Sequence, residues 1–342
     1  MSAGRAGKKQ IVINHLENIK GICTKTGLIK SLRRFYKSCL LATNANYTVH
    51  ESTPTTFVVL PECNDAEYQA FVQRFQELEK KVYRKEKLPA KHCEGNVWLI
   101  KPAAENQGRG IEIFKNNLTD MKKFLASKPP NTYWVVQKYI ERPLLYCDRK
   151  FDIRMWAVMT CKGELFYYRQ GYIRTSSDAY TLDSKLNYVH LTNNCLQKYG
   201  EKYGTFEEGN TIGFAPFEQY VNEKYPQLKF SFQEHIIPRI KDLMIDSFLS
   251  VKSELNPSKR RNCFELLGFD FMIDEDFRTW LIEINTNPYL GVPNKFIEGL
   301  LPKMLHDLLS INLDPYVRPV NAVPPRGNSI LKNRLYRHRQ PI

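Results

Sequence analysis

Two apolar segments near the end of the chain, Gly268-Phe269-Asp270-Phe271-Met272-Ile273 and Trp280-Leu281-Ile282-Glu283-Ile284-Asn285, flank a polar stretch from Asp274 to Thr279. That pattern predicts a β-hairpin. Side chains alternate faces along a strand, so Phe269, Phe271 and Ile273 share a face, as do Trp280, Ile282 and Ile284, leaving Asp270, Glu283 and Asn285 on the other. If Ile273 pairs with Trp280, Asp270 stands opposite Glu283, and like charges in that position destabilise a ladder unless a cation lies between them. Two carboxylates and a carboxamide, without His or Cys, are hard oxygen ligands suited to magnesium or manganese rather than zinc, and magnesium ordinarily arrives with substrate phosphates. The hairpin therefore predicts a nucleotide site. The competing reading is an edge hairpin whose acids merely face water. Leu281 and Met272, placed on the face of the acids, favour the floor of a cleft instead.

Within 342 residues, 42% of them hydrophobic, there is material for two or three domains or subdomains with a sizeable core. No stretch approaches the ~20 apolar residues that span a bilayer. The basic start from Met1 to Gln10 has no apolar segment behind it, so the expectation is a soluble, unsecreted protein. Eight cysteines without a CxxC pair or metal-ligand spacing suggest reduced thiols rather than disulfides. The net charge of +14 concentrates at Lys30, Arg33, Arg34 and Lys37, at Lys80, Lys81, Arg84, Lys85 and Lys87, and from Arg326 to Arg339. Such a field implies an acidic partner, nucleic acid or an acidic protein tail, although any single cluster reads more readily as a solvated helix face.

Periodicity predicts a helix over 11–40 interrupted at Thr24 to Gly27, a strand at 55–60, and an amphipathic helix at 67–87. Strands are expected at 97–102, 111–114 and 133–139, with a short helix at 120–127. A second hairpin is expected over 150–160 and 164–174, then a polar loop region over 175–215, and helices at 232–255 and 298–310. Strands and helices in this order indicate a mixed α/β chain. From Asp314 onward Pro, Arg and Asn dominate, as in a poorly ordered basic tail.

Lys101 ends the apolar strand Trp98-Leu99-Ile100 and precedes the loop Ala103 to Gly110, where Gly108, Arg109 and Gly110 form a glycine flap. Backbone N–H groups of such a loop can approach phosphates, and a lysine on the adjoining strand completes a clamp, although GxG alone is more often a plain turn. No GxxxxGK[ST] run is present, which disfavours a P-loop enzyme, and the protein-kinase set is missing. Lys150, Asp152 and Arg154 alternate with apolar residues on one strand face. That face could grip oxyanions with Arg174, or it could be a salt-bridged surface. His190 reads as a hydrogen-bonded loop residue.

With these segments in place, the chain resembles the tubulin–tyrosine ligase family of ATP-grasp ligases, from about Asn14 to about Pro293. The stretches that carry the resemblance are TKTGLIK at 24–30, TPTTFVVL at 53–60, GNVWLIKP at 95–102 and GRGI at 108–111. Further on they are VVQKYIERPLLY at 135–146, RKFDIRMWAV at 149–158, YYRQGYIRTSSDAY at 167–180, HLTNNCLQK at 190–198, FEEGN at 206–210, and LLGFDFM with WLIEIN between 266 and 285. The resemblance implies an α/β ATP-grasp fold of mixed and antiparallel sheets flanked by helices. The nucleotide would lie in the cleft between a central domain over 21–140 and a C-terminal domain over 141–322, with 1–20 a shortened N-terminal segment and 323–342 a basic tail.

By the same likeness Lys25 and Lys101 would reach ATP phosphates, Gln137 and Tyr139 would lie near the adenine, and Lys150, Asp152 and Arg154 would line the reacting centre. Arg174, Thr192 and Asn193 would contact nucleotide or amino acid, while Asp270, Glu283 and Asn285 would hold magnesium. The implied reaction is ATP-dependent addition of an amino acid to the acidic C-terminal tail of tubulin, with Lys101, Arg154 and Glu283 carrying the chemistry. Segments 167–180 and 190–210 place tyrosine slightly ahead of glutamate and glycine, while the run Asn285 to Leu290 departs from the tyrosine-adding members. Only about twenty residues precede the TKTGLIK stretch, so a reduced tubulin-docking part is expected. The expected setting is a cytoplasmic monomer at microtubules or a cilium, without membrane, and nucleic acid is disfavoured as a partner. Alternatives are a ligase for another acidic protein, or a non-catalytic binder of tubulin or nucleic acid.

Overall fold

The computed structural model describes residues 11–43, 48–84, 95–105, 108–184 and 186–314. The expected basic tail over 323–342, together with Lys85, Lys87 and Cys93, lies outside them. In chain order the elements are β1 (Ile13–Asn14), α1 (Lys20–Cys23), α2 (Lys25–Thr43), β2 (Thr56–Val59), α3 (Ala66–Tyr83), β3 (Val97–Pro102), β4 (Glu112–Lys115), α4 (Leu118–Ala126) and β5 (Trp134–Lys138). Then follow β6 (Leu145–Tyr146), β7 (Arg149–Thr160), β8 (Leu165–Tyr167), β9 (Tyr172–Ala179), α5 (Asn187–His190), α6 (Asn194–Gln197), β10 (Thr211–Ile212), α7 (Phe214–Lys224), α8 (Ile237–Leu249), β11 (Cys263–Ile273), β12 (Thr279–Thr286) and α9 (Lys295–Asn312).

Two sheets result. The smaller runs β2-β5-β3-β4, all antiparallel, and packs Phe57, Trp98 and Val136 against Phe71, Phe75 and Leu78 of α3. Those helix residues recur at three and four, and Asp65 caps the first turn by accepting from the Tyr68 N–H at 2.9 Å. The larger sheet runs β1-β11-β7-β9-β10, with β12 added beside β11 and β6 and β8 beside β7. Its core joins Phe151, Ile153, Phe269 and Phe271 to Ile240, Leu243 and Met244 of α8 and to Leu28 and Leu32 of α2. α9 covers the opposite face at Trp156, Val158 and Leu266. This is the mixed α/β architecture expected from the sequence.

Four expectations are corrected. The helix expected from residue 11 begins at Lys20, because Ile13 and Asn14 pair parallel to Cys263 and Phe264 and the Asn14 carboxamide accepts from the Leu266 N–H. The break at Thr24 has a visible cause, since the Thr24 hydroxyl accepts from the Gly27 N–H at 3.0 Å and restarts the helix. The return strand expected over 164–174 is split into β8 and β9. The region expected as a loop from 175 instead continues β9 to Ala179, with Thr175, Ser176 and Ser177 buried. Finally, the helix expected over 232–255 opens as one wide turn, Phe232–Ile236, and ends at Leu249; Pro238 lacks the N–H that a regular start would need.

The split between β8 and β9 turns on Gly171. A Cβ there would come within 2.4 Å of the Arg154 carbonyl oxygen and 2.3 Å of the Met155 sulfur. Gly171→Ala is therefore expected to destabilise the protein by about 3 kcal/mol, the upper part of the range for overpacking. Urea denaturation checks this, and an unchanged midpoint would refute the close-approach explanation.

Candidate active site

Across four neighbouring strands of the larger sheet the register lays out a row of charges. Arg174 on β9 pairs with Asp152 on β7, Arg154 on β7 pairs with Asp270 on β11, and Asp270 in turn faces Glu283 on β12. The signs alternate until the last step, where two carboxylates meet. Arg174 donates through Nε to Asp152 Oδ1 at 2.8 Å and approaches Asp270 Oδ2 at 2.9 Å. Arg154 donates through both Nε and Nη2 to the same Asp270 carboxylate, the second at 3.0 Å. Burial pushes the Asp270 carboxyl up, but the two guanidiniums overcome it and hold it well below the usual carboxylate range. Glu283 has no such partner. Burial, and then the neighbouring Asp270, raise its carboxyl above the ordinary value.

The expected opposition of Asp270 and Glu283 is present, but the route to it differs. Ile273 pairs with Thr279 rather than Trp280, and a bulge beyond Phe271–Leu281 skips Ile282 and restores the Asp270–Glu283 pair. The bulge also exchanges faces on β12. Leu281 joins the core with Phe269 and Ile284, correcting its expected place beside the acids. Trp280 and Ile282, expected on the core face, pack instead with Met272 and Ile140 beside the polar row.

Facing this row are the inner strands β3 and β5 of the smaller sheet. Lys101, buried at the end of β3, donates to Gln137 Oε1 at 2.6 Å, and Gln137 donates to the Thr56 hydroxyl at 2.9 Å. Lys25, at the start of α2, donates to the Glu105 carbonyl. Lys150 donates to the Tyr139 hydroxyl and to the His190 carbonyl, each at 2.9 Å. Burial lowers all three ammoniums, Lys101 to about 8 and Lys150 to about 7. The cleft between the sheets brings together Lys25, Lys101, Gln137, Tyr139, Lys150, Asp152, Thr192, Asn193, Asp270 and Glu283. Gly108 and Arg109 line the same cleft, and Gly108 lies against Leu191 and Asn193. The flap needs glycine at both ends, with φ of 76° at Gly108 and 65° at Gly110.

Arg154 and Arg174 reach this cleft only through Asp270 and Asp152. Tyr139 is a strut as much as a wall, since its hydroxyl also meets His190 Nδ1 at 2.9 Å while His190 Nε2–H donates to the Ser184 carbonyl. Burial lowers the imidazole's pKa and keeps it neutral, so the phenol donates to Nδ1. The hydrogen-bonded role expected for His190 holds, but the residue ends α5 rather than lying in a loop, and its carbonyl orients Lys150. Met272 lies in the cleft floor as expected, while sequence reasoning missed its apolar companions Leu99, Ile140 and Ile282.

The oxygen set fits a hard divalent cation in part. Asn285 Nδ2 lies 3.0 Å from Glu283 Oε1 and 3.4 Å from Asp270 Oδ2, so the three side chains do converge. Asp270 is already neutralised by two arginines, which leaves Glu283 and the Asn285 carbonyl oxygen as the open donors. Among the described residues no group of three or more His, Cys, Asp and Glu side chains forms a metal cluster. Such a site suits an ion that takes its remaining ligands from phosphates and water, as magnesium does.

Lys150 gives the cleft a pH signature. Near pH 8 it is mostly neutral when the cleft is empty, and an adjacent phosphate would recharge it, so anion binding should take up a proton. Affinity for MgATP is expected to fall from pH 7 to 9 as Lys150 and then Lys101 lose their protons, and Lys150→Met should remove the share of that fall at the lower end of the range. Calorimetry in buffers of different ionisation enthalpy checks this, and equal heats in all buffers would refute it.

The seven described cysteines are free thiols, and no described helix is long and apolar enough to cross a membrane. A family profile described as the Tubulin-tyrosine ligase family matches residues 6–322. Among similar proteins, Tubulin glycylase 3B of Tetrahymena thermophila is 36% identical over 234 residues, covering 67% of this chain and 19% of that protein. Tubulin glycylase 3A of Drosophila melanogaster is 36% identical over 235 residues, covering 66% and 23%. The chain thus spans about a fifth of the length of these glycylases. The Probable alpha-tubulin polyglutamylase Ttll1 of Tetrahymena thermophila is 30% identical over 322 residues, covering 88% of this chain and 71% of that protein. A profile matched over nearly the whole sequence, and a relative matched over most of its own length, place this chain as a member of the tubulin–tyrosine ligase family.

Proposed function

We propose that this chain is an ATP-dependent ligase that joins a free amino acid to a carboxylate of an acidic tubulin tail, with glycine or glutamate ahead of tyrosine. The observation that carries the reading is the unbalanced end of the charge row, where Glu283 faces the cleft beside Asp270 with Lys25 and Lys101 across from it. The preference for glycine or glutamate follows the names of the similar proteins, glycylases and a polyglutamylase, and replaces the expectation of tyrosine.

In this reading Leu99, Ile140, Met272 and Ile282 enclose the base, and Lys101, Lys25 and Lys150 meet the phosphates. Glu283 and Asn285, with the remaining face of Asp270, would hold magnesium, which when bound supplies charge neutralisation for the transferring phosphoryl group. A tail carboxylate oxygen attacks the γ-phosphorus and ADP leaves. Lys101 and Lys25 stabilise the charge that develops on the phosphoryl oxygens. The donor's amine nitrogen then attacks the acyl carbon, phosphate departs, and the nitrogen loses a proton to give the amide. Arg154 and Arg174 act as positioning residues that fix Asp270 and Asp152, so that Glu283 meets a rigid negative neighbour. The excess of basic residues attracts an acidic tail.

The test incubates the protein with tubulin, MgATP and labelled glycine, glutamate or tyrosine in turn, and locates the adduct by mass spectrometry. Incorporation of glycine or glutamate that requires ATP is expected. MgATP binding with no incorporation of any amino acid would refute the ligase reading.

A further inference from the structure

The cleft has a second chamber. A cavity of about 350 Å³ opens between α1, α2, β5 and β12, and it meets the nucleotide side at Lys25, Lys101, Gln137, Ile282 and Glu283. Its volume falls at the lower end of the range that holds small organic ligands, about 300–1,000 Å³. The charged groups lining it are Lys20, Lys25, Lys101 and Glu283, with the His15 imidazole beside them. Lys20 and His15 are exposed and stand on the N-terminal side of α1, whereas Lys101 is buried at the inner end. Its walls combine apolar Ile19, Ile22, Ile29 and Ile284 with the hydroxyl-bearing Thr53 and Thr56.

This distribution selects an occupant. The lysines, running from exposed Lys20 to buried Lys101, attract an anion and draw it inward, while the isoleucines of the walls accept the methylene groups of an acidic side chain. The inner end is also the junction with the phosphate-facing Lys25 and Lys101, and Tyr139, Ile140 and Met272 line the nucleotide side alone. A free amino acid the size of glycine would leave most of the chamber empty, and its ammonium would face three lysines.

We propose that this second chamber is the acceptor channel, in which an acidic peptide enters past Lys20 and His15 and presents one carboxylate to Lys25 and Lys101 at the phosphates. The inference rests on the nucleotide-dependent ligase reading and adds to it the route and side chains that select the acceptor. Lys20, which that reading does not use, becomes a specificity-determining residue.

The test uses the full chain with magnesium and a non-hydrolysable ATP analogue, and follows binding of a fluorescein-labelled hexaglutamate peptide by anisotropy. Lys20→Glu is expected to weaken peptide binding by about tenfold and to leave nucleotide affinity within about twofold. Lys20→Gln should give a smaller loss and Lys20→Arg close to none. Lys303→Glu, on the exposed face of α9, controls for the general field and should leave binding unchanged. Equal peptide affinity in Lys20→Glu and the wild type would overturn the channel, as would an equal loss in Lys303→Glu, or no peptide binding by nucleotide-bound protein. Absence of nucleotide binding would instead overturn the reading on which the channel rests, and the channel with it.

Discussion

Glu283→Gln is expected to fold at least as stably as the wild type while losing magnesium-dependent turnover by ~10²–10³-fold or more, the scale on which single groups that stabilise developing charge act. The two effects have one cause. Burial and the adjacent Asp270 raise the Glu283 carboxyl in the folded protein. A folded pKa above the unfolded one favours the fold fully only below the unfolded value, near 4.3, and that favour is lost as pH rises through the folded value. At neutral pH without a cation, the ionised carboxylate therefore works against folding, and the isosteric amide removes that penalty while keeping the contact with Asn285 Nδ2 available through its carbonyl oxygen. With MgATP present the balance reverses, because the wild type gains a charge partner that the variant lacks. Thermal denaturation should show a larger MgATP-induced rise in Tm for the wild type than for Glu283→Gln, together with the loss of turnover. Equal magnesium dependence in both proteins would remove Glu283 from the cation site, and with it the reason for two acids meeting on β11 and β12.

How this site could be read in advance, and where it could not, follows from the range of each interaction. The facing of Asp270 and Glu283 was anticipated from a register, Ile273 with Trp280, that the structure does not have; the two acids meet only because a bulge shifts the pairing by one residue. The bulge at Ile282 was not legible, since its signal is a three-dimensional fit: moving Leu281 into the core with Phe269 and Ile284 leaves Ile282 and Trp280 to pack on Ile140, a residue from the other side of the cleft. Strand β3 and the position of Lys101 were legible from a continuous apolar run. The split of β8 from β9 was not, because it depends on how closely the Gly171 backbone approaches Arg154. The separate charges of Lys150, Asp152, Arg154 and Arg174 were visible, and so was their common face. Their pairing across strands was open to two readings, and the register is what turned a salt-bridged surface and an oxyanion grip into one buried row ending at the cleft.

That row makes Arg174 the side chain whose loss should unsettle the fold most. Arg174→Ala is expected to cost ~3–5 kcal/mol, the usual range for removing one partner of a buried ion pair. Arg174 and Asp152 are both buried, and Arg174 is bonded to Asp152 while also touching Asp270. Removing it strands Asp152, whereas Asp270 keeps Arg154. The pH dependence follows from Asp270, whose carboxyl is held low by Arg154 and Arg174 against the opposing effect of burial. A depressed folded pKa stabilises above the unfolded value, near 3.9, and that contribution is lost as pH falls towards the folded value. The gap in urea-derived stability between wild type and Arg174→Ala should therefore be full at pH 6 to 7 and narrow below pH 4. Arg174→Lys keeps the charge but not the planar fork that spans two carboxylates, and should fall between them. The Asp152 carboxylate already acts to raise the Lys150 ammonium. Once freed from Arg174, it should raise it further, moving the pH-dependent weakening of MgATP binding to higher pH. A variant with the wild-type urea midpoint and an unmoved binding profile would mean that Arg174 is not what separates Asp152 from Lys150, and that the row does not transmit charge to the cleft.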